Sequence, residues 1–480
     1  MATTSAADLP TGLAGEDEYS ALRVEQRGIE KIPEDERHIR PWQLSLVWAA
    51  GVFNFAYVVY GAFVIYIGLS FAQAIVVILI GHLSYLLVGA YSLQGPKAGT
   101  AAFVINRAPF GRNGGKAISW FNWVTVVGYE IITASIAVLA ALALFHKLGV
   151  GSSTGLKIAC IIGAGVLQTA LPFLGHAAIT RFLRILLVPF SIALVILAIL
   201  LARKIHLSSF HQHASWENVT VAFALVFAVA GLGWANMGND YSRYLPAGVS
   251  KRRTVATVTL GAAIPSLVLM ILGAAIATSI SSATDPVSGL SAALPSWFVI
   301  PYLLTVIPQT VTTNSFNLYS SGLTLQAAGL RIRRYQAVIV DSIVCLSLTT
   351  AIVFSTKFNT IVSDFLLFTI VWLAAWAGVF GVDVLMRRNR YDGDELLDPR
   401  GPFSRNGGFN VRGIAAFVAG MVASAMWLNT SVYKGPLSSA VGGSDLSALM
   451  GFFVGGGVYA LLCLTQLRAA AASRTGLART

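Results

Sequence analysis

Charge is what this sequence has least of. Only 11% of its 480 residues are Asp, Glu, Lys or Arg, against roughly 25% in an average soluble chain, while 56% are hydrophobic. Such a chain cannot clothe a globular surface in water-facing groups, so a soluble enzyme is excluded. Not one of the four charged types occurs from Pro41 to Pro96, a length that accommodates two membrane-crossing helices of about 20 residues each. Cysteine is almost as scarce. Cys160, Cys345 and Cys463 lie in separate apolar runs and are odd in number, which excludes a disulfide framework and a clustered thiolate metal site. Also missing are a Walker A pattern, an HExxH, a mid-membrane Gly-x-Ser-x-Gly and clustered aspartates for a metal-diphosphate. An ATP-driven pump and a membrane enzyme are thereby disfavoured. No cofactor is expected, and any energy for solute movement must come from an ion gradient or from the solute itself.

Twelve apolar runs are present, near 43–69, 71–94, 117–145, 156–175, 181–202, 218–242, 254–280, 297–328, 336–355, 360–386, 411–430 and 446–467. These predict an all-α integral membrane protein of twelve transmembrane helices, numbered here as spans 1 to 12. The net charge of +12 reports orientation rather than a nucleic-acid partner. With residue 1 in the cytoplasm, 27 of the 33 basic residues fall on the cytoplasmic side and six outside. Both termini are therefore expected in the cytoplasm of a multi-pass protein of the cell membrane. Residues 1–42 lack an apolar h-region and read as a cytosolic tail, as does 468–480. The segment 387–410 reads as the longest cytoplasmic loop, dividing ten spans from the pair within 411–467. The ten divide into a first repeat, 43–202, and a second, 203–386. Spans 1 and 6 share an interruption, Trp48-Ala-Ala-Gly51-Val-Phe-Asn54 in one and Gly231-Leu-Gly233-Trp234-Ala-Asn236-Met-Gly238 in the other. Gly and Asn weaken helices, and breaks at matching places point to an inverted-repeat transporter with its site at the breaks.

Taken at 1.5 Å per residue, four spans bring polar or aromatic groups to one depth: Asn54 in span 1, Tyr129, Glu130 and Thr133 in span 3, Gly231 to Trp234 in span 6, and Thr312 to Asn317 in span 8. On span 8, Thr310, Thr313, Asn314, Asn317 and Ser321 form one polar stripe that lipid would not tolerate. Interhelical hydrogen bonding is the bland explanation; two asparagines beside a break favour a binding site. Tyr129 and Trp234 offer faces for a planar ring, and Asn314 and Asn317 offer amides for its edge, chemistry that suits a nucleobase. Glu130 reads as the one acidic side chain near the centre of a span, with no Lys or Arg at its depth. It must then be protonated, pair with a bound cation or face a cationic part of the substrate. The expectation adopted is that it carries a coupled proton. Asp240 and Arg243, near the inner end of span 6, are expected in a gate or its packing.

At these residues the sequence resembles the nucleobase:cation symporter-1 family, in particular its purine and cytosine permease branch. The likeness runs from about residue 24 to 385 and is carried by Arg27-Gly28-Ile29-Glu30-Lys31-Ile32-Pro33, Arg107-Ala108-Pro109-Phe110-Gly111, Asp240-Tyr241-Ser242-Arg243-Tyr244-Leu245-Pro246, and Asn317-Leu318-Tyr319-Ser320 followed by Gly322-Leu323. The resemblance implies a five-plus-five inverted-repeat fold with two additional C-terminal helices. It implies alternating access and symport of a nucleobase or related heterocycle with Na⁺ or H⁺. It matches Gly233-Trp234 to the family's helix 6 glycine and stacking tryptophan and Asn317 to its helix 8 asparagine. Helix 3 departs from the pattern, with Tyr129 and Thr133 where Trp and Asn or Gln are usual. The family's sodium site maps to Ala50 through Phe53 with Thr312 and Thr313, but Val311 takes a neighbouring slot and offers no oxygen, whereas a hard cation wants about five or six. Purines and cytosine lead as substrates, with allantoin, hydantoins, thiamine precursors and pyridoxine as alternatives. A non-transporting sensor or channel, and the oligomeric state, stay open.

Overall fold

The computed structural model describes residues 24–477 apart from 38, 204, 206–213, 286, 356 and 357. Of the tails expected at 1–42 and 468–480, residues 1–23 and 478–480 lie outside the described residues. Within them the chain is helical, and its only β feature is a single bridge between Asn429 and Lys434. The principal helices are α1 (Pro41–Val52), α2 (Ala56–Tyr66), α3 (Phe71–His82), α4 (Arg112–Lys147), α5 (Thr154–Leu174), α6 (His176–Ala202), α7 (Trp216–Phe227), α8 (Lys251–Ala277), α9 (Ser296–Ala327), α10 (Arg334–Val353), α11 (Phe358–Met386), α12 (Val411–Trp427) and α13 (Ser447–Leu477).

Ten helical segments among the described residues are long and apolar enough to cross a membrane, eleven when α1 and α2 count as one bent span. The sequence leads to an expectation of twelve. The difference is α9, which has the length, at 32 residues, but carries too many hydroxyls and amides to pass as apolar. Those groups do not meet lipid: every residue from Gln309 to Leu325 of α9 is buried. A helix wrapped by protein can be polar where a lipid-facing one cannot.

Both expected breaks occur. Span 1 bends by 56° between α1 and α2, where Asn54 Oδ1 accepts the Ala56 N–H at 2.9 Å and so caps the second half. Span 6 leaves α-geometry after Phe227, passes through a π-turn over Ala228–Leu232 and holds Ala230 at φ −81°, ψ −125°. Close approach to span 2 fixes that turn. The Gly231 N–H donates to Ser84 Oγ at 2.8 Å, and a Cβ on Gly231 would sit 2.0 Å from the Ser84 carbonyl carbon. His82, on the same span, is held by the Ile78 carbonyl at 2.8 Å and Ser266 Oγ at 3.2 Å, as a structural histidine would be.

Residues 24–37 do not hang free as a tail. They run as a strap across one end of the bundle: Glu25 N donates to Leu174 O, Ile32 N to Gly99 O, and Arg37 Nη1 to Pro96 O, at 2.8, 2.8 and 2.6 Å. All three cysteines are free thiols.

Candidate substrate cavity and ion sites

Between the two breaks lies a narrow cavity of about 50 Å³, walled by the four spans whose polar groups share a depth in the sequence. Span 1 supplies Asn54, Ala56, Tyr57 and Tyr60; span 3 supplies Tyr129, Ile132, Thr133 and Ile136. Val229, Gly233 and Trp234 come from span 6, and Thr313 and Asn317 from span 8.

Trp234 stands on the cavity wall, braced edge-on against Trp48 and Phe316, with ring centroids 6.1 and 6.3 Å away. Its Nε1–H donates to the Tyr57 hydroxyl at 2.7 Å, and Tyr57 in turn reaches the Val229 carbonyl at 3.1 Å and Tyr85 at 3.0 Å. The indole is therefore pre-oriented by a chain of hydroxyls. Across from it Tyr129 packs edge-on against Phe365 and brings its hydroxyl next to Gly233, where an added Cβ would lie 3.0 Å from that oxygen. The Tyr129 hydroxyl is buried, with Thr369 of α11 as its polar side-chain neighbour.

Several expected residues stand elsewhere. Asn314 is turned away from the cavity: its Nδ2 donates to Gln168 Oε1 at 2.7 Å and the Glu130 carbonyl at 3.2 Å, while its Oδ1 accepts from Asn317 Nδ2 at 3.2 Å. It braces Asn317 from behind. Glu130 is fully buried but does not line the cavity either. The reason is helical rotation. On span 3 the lining stripe is 129, 132, 133, 136, and Glu130 lies about 100° round from Tyr129. On span 8 Thr313 and Asn317 share the cavity face, with Asn314 about 100° from Thr313. Glu130 is also not the one deep carboxylate: Asp341 of α10 is fully buried and stands beside it.

At the break in span 1, two carbonyls that would hold a cation, those of Gly51 and Phe53, already accept side-chain hydrogen bonds. Thr313 Oγ1 donates to the Gly51 carbonyl at 3.2 Å, and Thr312 Oγ1 turns to Gln309 O at 2.8 Å. Gln309 spans the gap, donating from Nε2 to the Phe53 carbonyl at 2.7 Å and accepting from Phe55 N at 3.0 Å. Ala50 is buried beside them. Gln309 escaped the sequence reading because it sits one place before the stripe that begins at Thr310. Tyr57 and Tyr60 escaped it because aromatic residues in an apolar run read as packing. No group of three or more His, Cys, Asp or Glu that could hold a metal occurs among the described residues.

Asp240 and Arg243 have separate partners. Asp240 accepts from Ala102 N and from Ser320 Oγ, both at 2.8 Å. Arg243 donates to Gly28 O at 2.6 Å and to the Tyr319 and Tyr244 hydroxyls at 2.9 and 3.2 Å, and lies 3.7 Å from Glu25 of the strap.

Residues 31–455 match the family described as permeases for cytosine/purines, uracil, thiamine and allantoin. The chain belongs to this family. It is a multi-pass, non-enzymatic membrane transporter of the nucleobase:cation symporter-1 type. Among relatives, it is 26% identical over 457 residues to YxlA of Bacillus subtilis (strain 168), provisionally assigned as a purine-cytosine permease, covering 93% of this chain and 97% of that one. It is 25% identical to the purine-cytosine permease fcyB of Emericella nidulans, over 92% of this chain and 88% of that one. The fold is that of Mhp1, a nucleobase-cation-symport-1 family transporter solved in a closed conformation with bromovinylhydantoin bound. The TM-score is 0.75 at 18% identity, covering 94% of this chain and 96% of that one.

Proposed function

We propose that the chain imports a nucleobase, purine or cytosine, together with a proton by alternating access. The observation that carries the substrate class is the cavity between the two breaks. Trp234, Tyr57, Tyr60 and Tyr129 provide aromatic walls, and Asn54, Asn317, Thr133 and Thr313 provide amides and hydroxyls, a set matched to a flat ring with a polar edge. The names of the two purine-cytosine permeases agree with this reading. A related heterocycle such as a hydantoin or allantoin is the second reading, favoured by Tyr129 and Thr133 standing where the family pattern has a larger ring and an amide.

A proton is preferred to Na⁺ because Thr313 and Gln309 donate to the Gly51 and Phe53 carbonyls that a cation at the first break would need. The strap end of the bundle is assigned to the cytoplasm of the cell membrane from the basic residues gathered there. The test is uptake of labelled cytosine, adenine, hypoxanthine, guanine, allantoin and a hydantoin by a permease-deficient strain expressing the chain. Saturable uptake of a purine or cytosine, abolished by a protonophore, is the expected result; uptake of none of these bases would refute the reading.

A further inference from the structure

A second polar centre lies behind the cavity wall, between α4, α9 and α10. Both carboxylate oxygens of Glu130 are buried, and neither makes a well-formed hydrogen bond among the described residues. Asp341 from α10 and Ser321 from α9 stand beside it. Asp341 Oδ1 accepts from Trp123 Nε1 at 2.9 Å, but its Oδ2 is unpartnered, as is the Ser321 hydroxyl. Four buried oxygens from three helices, three of them carboxyl oxygens, thus converge with one another as their nearest polar neighbours, an arrangement two carboxylates tolerate only with a proton or other ligand between them.

The ligand is identified by what surrounds it. The ionisable groups facing the pair are each other and the Cys345 thiol of α10, and no Lys, Arg or His is among them. Gln168 of α5 and Asn314 of α9 close the remaining side with neutral amides, Gln168 also lying 3.8 Å from Cys345 Sγ. Two adjacent carboxylates with no countercharge cannot both be ionised while they are sealed from water. A hard cation takes about six oxygens, more than the four on offer, whereas a proton needs only the two that share it. We propose that Glu130 and Asp341 form a carboxyl pair that holds one shared proton, and that this pair, separate from the substrate cavity, carries the coupled ion. On loading, a proton from water joins one carboxylate and hydrogen-bonds to the other, taking the pair from two negative charges to one; on release it returns to water on the opposite side. Asn314 links the pair to the cavity as a positioning residue, bonded to the Glu130 carbonyl on one side and to Asn317 on the other.

The inference rests on the symporter reading above, and the experiment separates the two. The purified full-length chain is reconstituted in proteoliposomes and assayed for counterflow of labelled adenine and cytosine, for accumulation under a pH gradient and for accumulation under a Na⁺ gradient. Wild type is compared with Glu130→Gln, Asp341→Asn, the double variant and Asp341→Glu. Each neutral variant is expected to keep counterflow while losing pH-driven accumulation by about tenfold or more, and the double variant to be no worse than either single one, since one unit is being removed. Asp341→Glu, which keeps a pair, is expected to retain accumulation. Infrared difference spectra on acidification, independent of transport and of the ability of any one variant to couple, are expected to show a protonated-carboxyl band that either neutral substitution alters. Accumulation driven by Na⁺ alone and kept by Glu130→Gln, or a carboxyl band unchanged in both variants, overturns the proposal. Failure of wild type to exchange any base, with the band present and lost in the variants, removes the substrate reading and supports the pair.

Discussion

Glu25 is the residue through which the strap is tied to one end of the bundle. Its backbone and side chain tie five places together: Leu174 at the end of α5, His176 N at the start of α6, Tyr244 after span 6, Tyr319 on α9 and Arg334 at the start of α10. Arg243 and Arg334 each stand 3.7 Å from its carboxylate, and both guanidinium side chains are fully buried. Replacing Glu25 by Gln leaves those two cations without their shared anion. Breaking a buried ion pair costs roughly 3–5 kcal/mol. The low end applies, because Arg243 keeps Gly28 O and Tyr319 and Arg334 keeps Pro172 O and Phe173 O. A loss of about 3 kcal/mol from the state closed at this end shifts the closed-to-open ratio by roughly a hundredfold. The assay is alkylation of a cysteine introduced at Thr313, on the cavity wall, in a background with Cys160, Cys345 and Cys463 replaced, by a reagent applied from the strap side. The expected result is markedly faster alkylation in Glu25→Gln, with net transport slowed by the misplaced equilibrium. Unchanged alkylation with normal protein amounts would refute the latch. The pH dependence has a definite sign. Burial works to raise the Glu25 carboxyl, but Arg334 and Arg243, with Tyr244 and the His176 N–H, outweigh it and hold it below its ordinary 4.5. The latch is therefore at full strength above about pH 4.5 and weakens only as pH falls through the lowered value.

Trp234→Ala is expected to raise the uptake KM by roughly tenfold to a hundredfold, the equivalent of about 1–3 kcal/mol of stacking and burial, measured at matched membrane abundance. Parental KM would show that the indole does not meet the substrate. Asn317→Ala removes an amide from the cavity wall and frees Asn314 Oδ1; the expected cost is about 1–3 kcal/mol in substrate affinity, checked by competition binding to the purified chain, and unaltered affinity would refute the contact.

The sequence alone was enough to establish the class of the molecule, because hydropathy is a sum over residues and needs no partners. The long charge-free stretch, the apolar runs and the gathering of basic residues require a bilayer whatever the packing. The two broken spans were legible for a related reason: Gly and Asn act on their own helix, so the interruptions near Gly51-Asn54 and Gly231-Gly233 appear wherever those residues fall. Trp234, Tyr129 and Asn317 were found by depth, which follows from counting along a helix.

Rotation is what counting cannot supply. Periodicity tells which residues share a face but not which way that face points, and only neighbouring helices settle it. Hence the stripe on span 8 was visible while Asn314 turned out to brace Asn317 from behind, and Glu130 turned out to face Asp341 instead of the cavity. Pairings between distant residues were equally beyond reach. Gln309 bridges Phe53 and Phe55 across more than 250 positions, and Glu25 reaches Arg334 across 309. Such contacts exist only once the helices have closed around one another, because each polar group, shut off from water, must then take whichever partner the packing brings to it.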